Sequence, residues 1–147
     1  MANDARFAGT RLDLEREALH VAVARPQSQT ILVVDDDEQI RTLASRILVS
    51  EGYGVMTADD GAEGLAIYRR YRRAIGAVLL DMAMPEMNGA QFIRSLRIVD
   101  PTARILLSSG HDVDPFLQAE GVWPSAFLPK PYRPKALIEA IGGLIGL

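Results

Sequence analysis

The sequence contains no cysteine, so disulfide bonds and thiolate metal sites are excluded for this chain of 147 residues. It also has no excess of basic residues, because its formal net charge is −3. Proteins that hold nucleic acid usually present a basic face to the phosphate backbone. We therefore expect no direct contact with nucleic acid.

Targeting segments and long apolar runs are absent as well. The first nine residues have neither the basic start nor the apolar stretch of a secretory signal. The longest apolar stretch, Ala136 to Leu147, contains glycines and Glu139 and is too short to span a bilayer. The sequence therefore predicts a cytoplasmic protein without membrane insertion. Its 48% of apolar and 24% of charged residues are typical of a globular fold.

Residues 1–29 differ in pattern from the rest of the chain. Arg11 to Ala24 form a candidate helix with a sparse apolar stripe, and Pro26 disfavours helix at the residue before it. We interpret residues 1–29 as an N-terminal extension and linker, with homodimer contacts as one open use. Residues 30–147 are predicted to form the folded domain.

From Thr30 onward, short apolar runs alternate with segments of helical period. Runs that are apolar throughout are typical of parallel strands covered on both faces. Apolar residues spaced three and four apart predict the helices between them, with Asp37 and Asp60 as helix caps. The predicted strands are Ile31–Val34, Tyr53–Thr57, Ala77–Leu80, Ile105–Leu107 and Ala126–Leu128.

The helical spacing also predicts which side chains face the sheet. A fourth, short helix is predicted from Asp114 to Ala119 and ends at Gly121, followed by an unusual connection over residues 122–125. The predicted inward positions are Ile40, Leu43, Ala44, Ile47 and Leu48 in the first helix and Ala62, Leu65 and Ala66 in the second.

Alternating strands and helices predict an α/β fold, a doubly wound parallel sheet with helices on both faces. Functional groups of such sheets collect beyond the carboxyl ends of the strands. Those positions hold Asp35, Asp36 and Asp37 after the first run, Asp81 after the third, Ser108 and Ser109 after the fourth, and Lys130 after the fifth.

Clustered carboxylates repel one another, and a hard divalent cation such as Mg²⁺ (or Mn²⁺) relieves the repulsion. Asp36 and Asp81 are the candidates for direct ligands, and Asp35 would act directly or through water. The backbone carbonyl of Ala83 is a further candidate ligand. A carboxylate beside the metal could act as a nucleophile and form an acyl phosphate.

Such a transfer needs neutralisation of the phosphoryl oxygens more than covalent help from the protein. The metal, the ammonium of Lys130 and the hydroxyl of Ser109 would each neutralise one oxygen. Ser108 is the alternative hydroxyl, although strand alternation puts the two serines on opposite faces and a glycine follows Ser109.

Four stretches of the chain resemble the signature of response-regulator receiver domains, the CheY-like superfamily. Their order and spacing agree with that family over residues 30–147. They are Val33-Val34-Asp35-Asp36, the segment Asp81-x-x-Met84-Pro85-x-Met87-Asn88-Gly89, Ser109-Gly110 and Lys130-Pro131.

The resemblance implies a flavodoxin-like (βα)5 fold with strand order 2-1-3-4-5 and a cis bond between Lys130 and Pro131. It implies that Asp81 is the phosphoacceptor and that Lys130 contacts the phosphoryl group. Asp35 and Asp36 would be the acidic pair that holds the metal, and Ser109 the switch hydroxyl.

The resemblance also implies a switch and its partners. Phe127 matches the aromatic switch position, with core packing as the alternative, and the output surface would be the fourth helix, fifth strand and fifth helix. Ala83 and His111 occupy positions that tune the loss of the phosphoryl group. The donor would be a phosphohistidine on a sensor histidine kinase or a histidine phosphotransfer protein, and the target a downstream protein. The domain would be no enzyme beyond its own phosphorylation and dephosphorylation.

Three rival functions remain to be weighed. A magnesium-dependent phosphatase with an aspartyl nucleophile needs a second acid where Ala83 stands, and a flavodoxin needs a phosphate-cradling loop where residues 35–38 are acidic. A degenerate receiver would act only as a protein-interaction module. In style the chain is closest to receivers of hybrid sensor histidine kinases, and a free-standing regulator is the other context.

Overall fold

A computed structural model describes residues 29–146. The predicted extension over residues 1–29, with its candidate helix from Arg11 to Ala24, lies outside the described residues apart from Gln29.

Five parallel strands form one sheet in the order β2-β1-β3-β4-β5. The predicted flavodoxin-like fold class and strand order are therefore confirmed. Each strand overlaps its predicted run, and the shift is at most two residues at either end. The strands are β1 (Thr30–Val34), β2 (Gly54–Ala58), β3 (Ile75–Asp81), β4 (Ile105–Ser109) and β5 (Ala126–Pro129).

Helices cover the sheet on both faces and divide the core into two layers. Phe92, Leu96 and Leu117 belong to the layer under α2, α3 and α4, whereas Leu48 and Leu137 belong to the layer under α1 and α5. None of the helices within residues 29–146 is long and apolar enough to cross a membrane. The helices are α1 (Glu38–Ser50), α2 (Gly61–Tyr71), α3 (Gly89–Val99), α4 (Asp114–Glu120) and α5 (Pro134–Ile145).

Side-chain caps fix the starts of three helices at the edge where the strands end. Asp37 accepts hydrogen bonds from the backbone N–H groups of Gln39 and Ile40, and Asp60 accepts one from Glu63. Asn88 forms a capping box at the start of α3. The two aspartate caps predicted from the sequence are confirmed.

Three predicted core positions are wrong. Leu43 is 54% exposed, because on that side α1 faces a groove lined by Pro131 and Tyr132 instead of the sheet. Ala62 and Ala66 are exposed as well, since α2 turns Leu65 toward the core. A helical period marks a stripe of small and large apolar residues but does not say how much of that stripe the neighbouring elements cover.

Candidate functional site

The carboxyl ends of the strands bring together two acids and a lysine that are far apart in sequence. Asp35 follows β1, Asp81 is the last residue of β3, and Lys130 follows β5. The Nζ atom of Lys130 lies 3.1 Å from Oδ2 of Asp35 and 3.0 Å from Oδ1 of Asp81. One ammonium therefore donates to two carboxylates from two neighbouring strands.

A third carboxylate completes an acidic cluster at this edge. One oxygen each from Asp35, Asp36 and Asp81 lies within 4.8 Å of the others. Asp35 and Asp81 are 5% and 6% exposed, whereas Asp36 is open to solvent. Mg²⁺ favours a few carboxylate oxygens together with several waters, and one open side of the cluster leaves room for water. The donor set therefore fits Mg²⁺ or Mn²⁺, and these three residues could hold the ion.

Burial makes this cluster electrostatically strained. The pKa of Asp81 is raised above its usual range, mainly by burial and further by the charge of Asp35, although hydrogen bonds from Lys130 and the Ala83 backbone oppose the rise. For Lys130, burial lowers the pKa, but the hydrogen bond to Asp81 and the two negative charges outweigh burial and raise it overall. Lys130 therefore stays charged and compensates part of the repulsion.

Asp35 is held from several directions. Its Oδ1 accepts the backbone N–H of Asp37 at 2.9 Å, and its Oδ2 accepts Lys130. Its backbone carbonyl accepts a hydrogen bond from NH1 of Arg41 at 2.7 Å. Sequence reasoning missed Arg41, whose only signal is its place one turn into the helix that follows the acidic residues.

The two serines at the end of β4 lie in different surroundings. Ser108 is buried, and its Oγ has no hydrogen-bond partner among the described residues. Ser109 is partly exposed, and its Oγ accepts the backbone N–H of His111 at 3.0 Å and donates to the His111 carbonyl at 3.3 Å. Ser109 is therefore the more accessible of the two hydroxyls.

Comparison with known proteins agrees with this geometry, since residues 31–142 match the response regulator receiver domain family. This chain belongs to that family. Receiver domains are phosphoacceptor modules of two-component systems and not classical enzymes, and they interact with histidine kinases and downstream effectors. The resemblance inferred from the four sequence stretches is confirmed.

Two relatives of this receiver domain are much longer proteins, and only part of each aligns with this chain. The sensor kinase CckA of Brucella abortus is 33% identical over 143 residues, which cover 95% of this chain and 14% of the kinase. The transcriptional regulatory protein GlrR of Escherichia coli is 37% identical over 114 residues, which cover 76% of this chain and 25% of that protein. The chain thus spans a quarter or less of the length of these two relatives.

Among solved structures, the receiver domain is similar to the chemotaxis protein CheY4 of Vibrio cholerae. The TM-score is 0.73 at 28% identity, over 80% of this chain and 98% of that protein. The expected cis peptide bond between Lys130 and Pro131 is present in this chain.

The remaining predicted residues of the receiver domain, Ala83, His111 and Phe127, are exposed and do not belong to the acidic cluster. Phe127 is 50% exposed on β5, so the alternative interpretation of its ring as core packing is wrong. Ala83 lies exposed in the loop after β3, and its backbone N–H donates to the carboxylate of Asp81. His111 is exposed, and the hydrogen bonds that join it to Ser109 within residues 29–146 involve its backbone N–H and carbonyl.

A second polar cluster, which sequence reasoning missed, lies at the opposite end of the sheet. The hydroxyl of Tyr68 donates to Oδ2 of Asp100 at 2.6 Å, and Thr102 donates to Oδ1 through both its N–H and its hydroxyl. Arg72 adds an ion pair at 3.4 Å. Burial and the bond to Asp100 raise the pKa of Tyr68, whereas the bond from Tyr68 helps lower the pKa of Asp100. This cluster joins α2 to the end of α3 and takes no part in the acidic edge.

Proposed function

We propose that this receiver domain accepts a phosphoryl group on Asp81 from a phosphohistidine of a sensor histidine kinase or a histidine phosphotransfer protein. The observation that carries the proposal is the ammonium of Lys130 between the carboxylates of Asp35 and Asp81, at 3.1 Å and 3.0 Å. In the transfer, an Asp81 oxygen forms a bond to phosphorus while the nitrogen–phosphorus bond of the donor breaks. The departing imidazole nitrogen keeps that electron pair and takes up a proton.

The proposed roles of the acidic cluster follow from its donor atoms. Asp35, Asp36 and Asp81 hold Mg²⁺ or Mn²⁺, with the backbone carbonyl of Ala83 as a further donor. The bound ion supplies positive charge that stabilises the phosphoryl oxygens during transfer. Lys130 already lies beside the nucleophile, and its raised pKa keeps it cationic, so that its ammonium is available to another phosphoryl oxygen.

We propose that Ser109 and Phe127 switch the domain. The Ser109 hydroxyl can donate to a phosphoryl oxygen only after it stops donating to the His111 carbonyl. When the Ser109 side chain turns toward the phosphoryl group, it frees space, and the half-exposed ring of Phe127 then moves inward. This is a two-state change driven by a local charge. The output surface is α4, β5 and α5. Phe116 and Trp123, which lie in and just after α4, are about half exposed and supply apolar contact area for a downstream protein.

The lifetime of the phosphoryl group depends, in this proposal, on Ala83 and His111. The exposed methyl group of Ala83 leaves room for an attacking water but cannot position it. The exposed side chain of His111 lies two residues beyond Ser109, where it can influence that water. The half-life of the phosphorylated protein should change in the His111→Ala variant, and an unchanged half-life would remove His111 from the proposal.

One comparison favours a hybrid sensor kinase as the setting of this domain. The alignment with the sensor kinase CckA covers 95% of the chain, so it extends beyond residues 30–147 into the N-terminal extension. We therefore propose that the domain acts as the receiver of a cytoplasmic hybrid kinase, with a free-standing regulator as the second context. Homodimer formation through residues 1–29 remains a prediction, which sedimentation of the chain with and without that segment would test.

Intact-mass measurement after incubation with Mg²⁺ and acetyl phosphate tests the proposed chemistry. The wild-type chain should gain the mass of one phosphate, chelation of the metal should prevent the gain, and Asp81→Asn should abolish it. Asp37→Asn is a matched control, because the amide keeps the helix cap and leaves the proposed ligands in place. A gain that survives in Asp81→Asn would refute the assignment. A chain that gains no phosphate and still binds a partner kinase would instead be the degenerate receiver.

A further inference from the structure

We infer that Arg41 is a positioning residue for the divalent-cation site, an inference that rests on the proposed function. Arg41 lies in α1, and its NH1 atom donates to the backbone carbonyl of Asp35 at 2.7 Å. It touches none of the proposed reacting atoms. Its contact fixes the residue that carries one of the metal-binding carboxylates.

The direction of the Arg41 side chain follows from its place in the helix. Side chains of an α-helix point back toward the helix N-terminus. From its place near the start of α1, the side chain of Arg41 therefore reaches past the Asp37 cap to Asp35, the residue that follows β1. A hydrogen bond from a cationic donor such as a guanidinium is stronger than one from a neutral donor.

Arg41 matters because the other cation that holds Asp35, the ammonium of Lys130, is expected to leave it during phosphoryl transfer. Lys130 bonds to Asp35 Oδ2, but the same ammonium is needed at the phosphoryl group. Once Lys130 turns to that group, Asp35 is still held by the backbone N–H of Asp37, by the guanidinium of Arg41 and by its own N–H, which donates to the Ala58 carbonyl at 3.1 Å. Of these bonds, the one from Arg41 is the only one in residues 29–146 that comes from a charged side chain. Residues that orient metal ligands without touching the metal typically contribute tenfold or more to metal affinity.

Positioning and simple electrostatics predict opposite effects of removing Arg41. A guanidinium near the acidic cluster repels a second cation, so Coulomb interactions alone predict tighter Mg²⁺ binding without it. If Arg41 acts by holding Asp35, its loss weakens Mg²⁺ binding even though a positive charge has gone. The sign of the change in affinity therefore separates the two roles.

Isothermal titration of the full chain with Mg²⁺ at fixed ionic strength measures that sign. Arg41→Met is expected to weaken Mg²⁺ binding roughly tenfold, and Arg41→Lys, which keeps the charge and one donor, is expected to weaken it less. Arg46→Met is the matched control, because it removes the same charge from an exposed position of the same helix. Its affinity should equal that of the wild type. At saturating Mg²⁺, phosphorylation of Arg41→Met by acetyl phosphate should return to near the wild-type rate.

Unchanged or tighter Mg²⁺ binding by folded Arg41→Met would overturn the inference and leave the proposed function standing. A wild-type chain that binds no Mg²⁺ would overturn both. Circular dichroism reports whether each variant is folded, and Arg41→Leu, which also lacks a donor, carries the same test if the methionine variant does not fold. A merely structural role of Arg41 would lower the melting temperature without moving the Mg²⁺ affinity of the folded protein.

Discussion

Replacing Lys130 by methionine is expected to destabilise the metal-free protein and yet tighten its binding of Mg²⁺. The ammonium contacts two carboxylates whose side chains are 7% exposed, while its own side chain is 19% exposed. Methionine is also unbranched and of similar length, so the substitution removes the charge and changes the packing little. The carboxylates of Asp35 and Asp81 then face each other without a compensating cation.

The two effects of Lys130→Met have different sizes. Removing one partner of a fully buried ion pair lowers the free energy of unfolding by about 3–5 kcal/mol. Because Lys130 is partly exposed and water can enter, we expect the metal-free variant to lose about 2–3 kcal/mol of its free energy of unfolding. Because the competing cation has gone from the same carboxylates, Mg²⁺ should bind at least about tenfold more tightly, or about 1.4 kcal/mol. Phosphorylation by acetyl phosphate should nevertheless fall sharply, since one phosphoryl oxygen loses its positive partner.

Urea unfolding at pH 7, with a chelator and with saturating Mg²⁺, measures both effects, and Lys135→Met is the control because Lys135 is exposed in α5. The pKa of Lys130 is raised above 10.5, so its contribution to stability is complete below that value and is lost as the pH rises through the folded-state pKa. The two proteins should therefore converge in strongly alkaline solution. Equal free energies of unfolding for metal-free wild type and Lys130→Met at pH 7 would refute the role of the ammonium as counter-charge.

Three further predictions concern stability. Because burial raises the pKa of Asp81, its ionised form opposes folding above the unfolded value of 3.8, so metal-free Asp81→Asn should be more stable by about 1 kcal/mol at pH 7. Urea unfolding across pH tests this, and the gain should vanish below that value. Asp100→Ala should lower the free energy of unfolding measured in urea by about 2–4 kcal/mol, because the buried hydroxyl of Tyr68 loses this acceptor. The pKa of Asp100 is lowered, so its contribution is present above 3.8 and fades as the pH falls; a pH-independent loss would contradict this. Ser108→Ala should raise the free energy of unfolding by about 1 kcal/mol, since its buried hydroxyl has no partner among residues 29–146, and a lower melting temperature would refute this.

The sheet could be predicted from the sequence because its strands are apolar on both faces. Runs such as Ile31–Val34 leave no polar face to place in water, so a parallel strand between two helix layers is the arrangement that buries them. The edge that carries the acidic cluster then follows from topology, since parallel strands end on the same side. That is why Asp35, Asp81 and Lys130 could be expected to meet despite their separation in the chain.

Other features could not be predicted, because they depend on how neighbouring elements cover one another. The spacing of Leu43 is that of a core residue, and only the position of Pro131 and Tyr132 leaves it beside an open groove. The bond between Tyr68 and Asp100 joins residues 32 apart and has no periodic signal.

Lys130 stands next to the outermost strand of the sheet. β5 pairs with β4 and, within the described residues, with no other strand, and it is only four residues long. Its end is nonetheless fastened to the middle of the sheet by the ammonium on Asp35 and Asp81. A ligand that draws the Lys130 ammonium away from Asp35 and Asp81 removes this attachment of β5. A change of charge at the acidic cluster is thereby converted into greater freedom of the strand that carries Phe127.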